Sequence, residues 1–138
     1  MNKRDLFVKE VKKCVNIPYI WGGNNGDVAS KKAGVDCSGL VIWGGLKSGL
    51  WNKTFDDTAA GLFNSCVSVK KINNGDLIFY GKNRITHVMI FIDGKAFGAT
   101  GGGSKTTTKE IAKSIGAKVC YKPISYRSDI YGIGSLPF

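Results

Sequence analysis

With 138 residues, 43% hydrophobic and 22% charged, the chain can bury one core, and its composition excludes a disordered or fibrous protein. The net charge of +10, carried far more by Lys than by Arg, favours anionic partners. It does not name one: the Lys pairs at 12–13, 31–32 and 70–71 are scattered, and no arginine-rich or aromatic-interleaved run argues for nucleic acid.

In chain order, Phe7, Val11, Cys14 and Val15 recur at helical spacing and predict an amphipathic helix over 4–15, closed by Asn16 and Pro18. An irregular stretch rich in Gly, Asn and Lys follows over 17–36. The apolar series Leu40, Val41, Trp43 and Leu46 predicts a buried helix from about Cys37 to 47, and Thr54 followed by Asp57 resembles a capped helix start. After Asn64 the pattern turns extended: "CVSV", "DLIFYG", "THVMIFIDG", "KAFGAT" and "AKVCYKPISY" are rich in β-branched and aromatic residues and separated by turn signals. One more helix, 108–115, should end at Gly116. Helices first and an antiparallel sheet after them make a single α+β domain over 1–138.

The four cysteines, at 14, 37, 66 and 120, have no C-x-x-C spacing, and a lone His87 cannot complete a His-rich zinc set, so a structural zinc site is not expected. Reduced thiols are expected, with Cys14, Cys66 and Cys120 buried and inert. The charged start MNKRDLFVKEVKK has no apolar signal core and no stretch has the length of a membrane span. The expectation is a protein made in the cytoplasm that stays there or leaves without a cleaved signal.

Cys37 is the residue with a candidate chemistry. A thiol in the first turn of a helix meets unsatisfied N–H groups and the positive end of the helix dipole, both of which favour the thiolate. It needs a partner to hold and return a proton, and the chain offers one imidazole, His87, at the start of a predicted strand. Spacing alone leaves open a core cysteine and a merely hydrogen-bonded histidine.

The words around them go further. "PYIWGG" at 18–23, "GVDCSGLV" at 34–41, "NNGDLIFYG" at 73–81 and "THVMIFIDG" at 86–94 stand in that order, and together they resemble the NlpC/P60 family of papain-like cysteine peptidases. The resemblance implies a papain-like fold with N-terminal helices on an antiparallel sheet, and hydrolysis of peptidoglycan stem peptides, commonly between γ-D-glutamate and the following diamino acid. It makes Cys37 the nucleophile and His87 the general base and acid, and implies no metal or organic cofactor. Tyr19 corresponds to a tyrosine beside the thiol, Asp36 to an aspartate that in several members holds the free amine of the stem peptide, and Ser38 to a serine with a local hydrogen-bonding part. Asp36 can also serve as an N-cap, and the Cys37 N–H is the expected oxyanion donor.

The third catalytic position departs from the family. Members usually place His, Asn or Gln on the next strand to orient the imidazole, where this chain has "KAFGATGGG", with Gly98 or Ala99 at the expected place and Thr100 as the nearest polar side chain, so the ring is expected to be held by the Thr100 hydroxyl, a backbone carbonyl or a water. Met89 stands where a smaller residue is usual. The ending "YKPISYRSDIYGIG" resembles the tails of members carried by phages and phage-like particles. That implies tail proteins as partners and delivery to the cell wall by a particle, with export as an antibacterial effector as the other route. The rival readings are a catalytically weak adaptor of a phage tail, a thiol transferase or lipid acyl enzyme on a related scaffold, and a basic nucleic-acid binder.

Overall fold

The computed structural model describes residues 1–22 and 34–138. Much of the irregular stretch expected over 17–36, and the Lys31–Lys32 pair, lie outside the described residues.

Helix α1, Lys3–Lys12, starts where the Asn2 side chain accepts from the Asp5 N–H at 2.8 Å, and it buries Phe7 and Val11. It stops short of the expected 15. Asn16 turns into the left-handed region at φ 72°, which Asn tolerates, and its N–H goes to Val119 O instead of a helical carbonyl. Helix α2, Cys37–Lys47, is capped by Asp36, whose Oδ1 accepts from Gly39 N–H at 2.7 Å. Leu40, Val41, Ile42 and Trp43 are all buried, as a helix enclosed on nearly every side requires. A Cβ on Gly44 would lie 2.5 Å from Val11 Cγ1, so the missing side chain is what lets α1 cross so closely.

The capped start expected at Thr54–Asp57 is displaced. Asn52 accepts from both the N–H and the hydroxyl of Thr54, which closes a local turn. Helix α3, Ala59–Ser65, begins one cap later, with Thr58 accepting from Gly61 N–H at 3.1 Å. "CVSV" forms no full strand: Val67 makes a single bridge to Ser135.

The sheet has five strands: β1 Leu77–Tyr80, β2 His87–Ile92, β3 Lys95–Thr100, β4 Lys118–Lys122 and β5 Ile130–Gly134. Their order is β4-β3-β2-β1-β5 and every pairing is antiparallel. Helix α4, Lys109–Ile115, precedes β4 and ends at Gly116 with φ 73°, as its sequence implies. The extended run expected through residue 126 breaks at Pro123, and Ile124–Tyr126 form a short 3-10 turn. Strand β5 was not expected; it comes from the stretch read as a tail.

Alternation sorts the strands into two faces. Leu77, Phe79, Val88, Ile90, Phe97 and Ala99 pack with the buried sides of α1 and α2, while Ile78, Tyr80, Met89 and Ala96 form a smaller cluster on the other face under Ile124 and Tyr126. All four cysteines are free thiols. Cys14 is buried as expected, but Cys66 and Cys120 are only partly so, since each sits near a sheet margin and not in the central layer.

Candidate active site

The start of β2 and the end of β3 lie at one end of the sheet, where the two strands part. The β2–β3 register runs over Ile90–Phe97, Phe91–Ala96 and Ile92–Lys95 and goes no further, although β2 extends back to His87 and β3 on to Thr100. There β3 stays paired to β4, through Gly98–Cys120, Ala99–Val119 and Thr100–Lys118. The N–H of Phe91 points to β1, bonded to Asp76 O, so alternation turns the Val88 N–H toward the place where β3 has left the ladder. That N–H lies close enough to the Cys37 sulfur to pull its thiol toward the thiolate.

Three backbone N–H groups therefore converge on the thiol: those of Val88, Ser38 and Cys37 itself. The last two belong to the first turn of α2, where the Asp36 cap engages only Gly39. These donors pull toward the thiolate, yet burial wins and pushes the Cys37 thiol up to about 11. The helix terminus alone led to the opposite expectation, a thiolate already favoured at rest. Desolvation outweighs the dipole even though Cys37 is only partly buried and lines the cleft, because protein atoms crowd the sulfur on the side of the helix end and the strand.

His87 is next to Val88 in the chain and lines the same cleft as Cys37. Its side chain is 7% exposed, and burial holds the imidazole down at about 4, with Arg127 adding to the depression and Asp129 opposing it. At neutral pH these shifts make Cys37 a neutral thiol and His87 a neutral imidazole, both lining the one cleft. His87 Nε2 is buried and has no hydrogen-bond partner among the described residues. Thr100, the nearest polar residue by sequence, shares a hydroxyl–hydroxyl hydrogen bond with Tyr126 OH at 3.1 Å in which either can donate, and so does not orient the His87 ring.

The remaining expected residues gather around the thiol. Tyr19 is buried and lines the cleft, and its phenol is pushed above its usual range by burial, then by Cys37 and Asp36. Asp36 caps α2 and also accepts from the Ser38 hydroxyl at 3.3 Å, which is the local bonding expected for Ser38. Burial raises the Asp36 carboxyl, against the donors Gly39, Ser38 and Gly22.

The cleft has a volume of about 760 Å³. Its lining includes residues that the sequence did not single out: Asp56 and Asp57 ahead of α3, Trp21, Thr86 and Arg127. The one legible signal was "YRSD", an Arg two residues before an Asp, which the structure turns into an ion pair with Arg127 Nη2 2.6 Å from Asp129 Oδ2.

The NlpC/P60 family profile matches residues 16–124. The chain is 34% identical over 110 residues to the bifunctional muramidase/DL-endopeptidase CwlT of Bacillus subtilis, covering 75% of this chain and 31% of CwlT. It is 31% identical over 120 residues to the peptidoglycan endopeptidase RipB of Mycobacterium tuberculosis, covering 80% of this chain and 48% of RipB. It thus spans a third to a half of the length of these relatives. Among solved structures it superposes on RipB with a TM-score of 0.70 at 22% identity, covering 96% of this chain and 63% of that one. It superposes on RipD of Mycobacterium tuberculosis, described as a non-catalytic NlpC/p60 domain protein adapted to peptidoglycan binding, with a TM-score of 0.71 at 16% identity over 100% and 99% of the two chains.

Proposed function

We propose, from the premise that this chain belongs to the NlpC/P60 family, that it is a cysteine endopeptidase of peptidoglycan stem peptides, cutting the bond between γ-D-glutamate and the diamino acid. The observation that carries the reading is the placement of Cys37 at the first turn of α2 with its sulfur close to the Val88 N–H, in one cleft with His87. The activities named for CwlT and RipB support the substrate class.

The neutral resting pair sets the form of the mechanism. As the Cys37 sulfur attacks the amide carbonyl, its proton passes to the His87 imidazole and the C–S bond forms. The carbonyl oxygen takes the negative charge, and the backbone N–H groups at the start of α2 are placed to receive it. The imidazolium then protonates the departing nitrogen and the C–N bond breaks, leaving a thioester. Water attacks the thioester with His87 as base, the C–S bond breaks, and the proton returns to sulfur. Asp36 and Tyr19 would hold the free amine side of the substrate.

A second reading has its own observation. His87 Nε2 has no partner among the described residues and Gly98 supplies no polar side chain, so a wall-binding or tail adaptor domain with little turnover is the alternative. Delivery by a phage-like particle is the finer part of the proposal, supported by the likeness of the C-terminal stretch to phage-carried members. The deciding experiment is mass spectrometry of purified cell wall digested by the protein and by Cys37→Ala. New γ-D-glutamyl carboxyl termini from the native protein alone establish the endopeptidase. Wall binding without new termini leaves the adaptor.

A further inference from the structure

Resting on that reading, the cleft has a charge axis that identifies the departing half of the substrate. In a chain of net charge +10, the acidic residues lining the cleft are Asp36, Asp56 and Asp57, and Arg127 is the one cation among its described lining residues. The acids group on the Cys37 side: Asp36 precedes Cys37 and acts on its thiol, and Asp56, just ahead of α3 with Asp57, acts in turn on Asp36. Arg127 lies on the His87 side, where Nη2 donates to Thr86 Oγ1 at 3.4 Å and the guanidinium sits 5.5 Å from the centroid of the Tyr80 ring. Tyr80 in turn is the cross-strand partner of His87, with ring centroids 5.8 Å apart.

The guanidinium is held for display. Asp129 takes Nε at 2.9 Å and Nη2 at 2.6 Å, which fixes the plane of the fork and leaves Nη1 outside that ion pair. The Arg127 side chain remains about a third exposed, so a ligand can reach it. A planar, permanently charged fork fixed on one edge suits recognition of a carboxylate better than a point charge would.

Chemistry gives the axis its direction. Cys37 bonds to the acyl half and His87 protonates the departing nitrogen, so the half beside His87 and Arg127 is the amine component. We infer that Arg127 is a specificity residue that binds a free carboxylate on the departing amino acid, and that the enzyme prefers an acidic leaving residue over an amidated or purely basic one. Two carboxylates share this chemistry: the α-carboxylate of a departing residue that ends the peptide, and a side-chain carboxylate of a diamino dicarboxylic acid within a longer stem.

The test is kcat/KM on four substrates. Two are γ-D-glutamyl-lysine peptides ending in a free α-carboxylate or in an amide. The other two are stems extended by D-Ala, with either lysine or diaminopimelate at the departing position. The native protein should favour a carboxylate-bearing member of at least one pair by about ten- to a hundredfold, the scale of one charge-assisted contact, chiefly through KM. The favoured pair tells which carboxylate is read. Arg127→Gln should bring the kcat/KM ratio within the favoured pair to about one, with its thermal unfolding transition reporting that the variant is folded; Arg127→Lys should keep part of the preference. Hydrolysis with no preference in the native protein, or an equal loss on both members of each pair in Arg127→Gln, overturns the inference and leaves the endopeptidase standing. No hydrolysis of any substrate by the native protein overturns both.

Discussion

The Sδ of Met89 lies 2.8 Å from where a Cβ on Gly98 would be, so a thioether fills the place of the side chain that Gly98 lacks. The two residues are cross-strand neighbours on the face that also carries Tyr80 and His87. Apolar sulfur occupies that place, and His87 Nε2 stays without a partner among the described residues.

The two positions should therefore behave as a pair. Gly98→Asn alone puts its Cβ into the thioether and should destabilise the protein by about 1–3 kcal/mol through overpacking. Gly98→Asn with Met89→Gly should recover most of that loss and raise kcat by about tenfold or more by fixing the imidazole. Thr100→Val should change kcat by less than about tenfold, because its hydroxyl is committed to Tyr126. Denaturation curves and steady-state kinetics on the three variants check this, and a double variant no faster than the native protein would show that the ring needs no such partner.

The thiol should titrate high. With Cys14, Cys66 and Cys120 changed to Ser, the alkylation rate of Cys37 should rise with pH toward a midpoint near 11, because burial outweighs the three N–H donors. A plateau already reached at pH 6 would reveal a preformed thiolate–imidazolium pair and replace the neutral mechanism.

His87 should make the fold acid-sensitive. Its pKa is about 4 folded against an ordinary 6.5, so the unfolded chain binds the proton more readily. The stability contributed by the neutral ring is fully present above about 6.5 and lost as pH falls toward 4, by about 3 kcal/mol in all. Urea denaturation between pH 7 and 4 should show this loss in the native protein and a shallower one in His87→Gln. Parallel curves for the two proteins would place the acid sensitivity elsewhere.

Asp36 has two separable roles. Asn also caps helices, so Asp36→Asn should keep the melting temperature within a few degrees, whereas Asp36→Ala should cost about 1 kcal/mol. If the carboxylate also holds a substrate amine, Asp36→Asn should raise KM for stems with a free N-terminal amine and leave acetylated stems unaffected. Equal kinetics on both stems would reduce Asp36 to a cap.

Asp76, in the "NNGDLIFYG" stretch, should matter for stability and not for chemistry. Its carboxylate is fully buried, 2.7 Å from Arg4 Nη1, and accepts from Asn73 N–H at 2.8 Å. Arg4 also donates to Asn74 O and Ser135 Oγ, so this one ion pair ties α1 to the start of β1 and the end of β5. Asp76→Ala should destabilise by about 3 kcal/mol, as when one partner of a buried pair is removed. The kcat of the folded fraction should be unchanged, and a loss of kcat without loss of stability would move Asp76 into the site.

Sequence by itself determined the parts whose physics is local. The order of helices and strands follows from hydrophobic period and cap chemistry, and the helix-start thiol, the strand-start histidine and the capping Asp36 are all words of a few residues. It misplaced what depends on partners far along the chain. Val15 lies beyond the end of α1 because Asn16 bonds to Val119, the start of α3 moved because Asn52 closed a turn first, and β5 exists because β1 had an unpaired edge to offer. Tertiary structure also decided the state of the site. The same helix terminus that favours a thiolate in isolation holds a neutral thiol here, because packing buries the imidazole and crowds the partly buried sulfur, and desolvation outweighs a few backbone dipoles. The Arg127 fork faces the cleft only because a turn after β4 carries it back over Tyr80, a placement that no spacing in the sequence encodes.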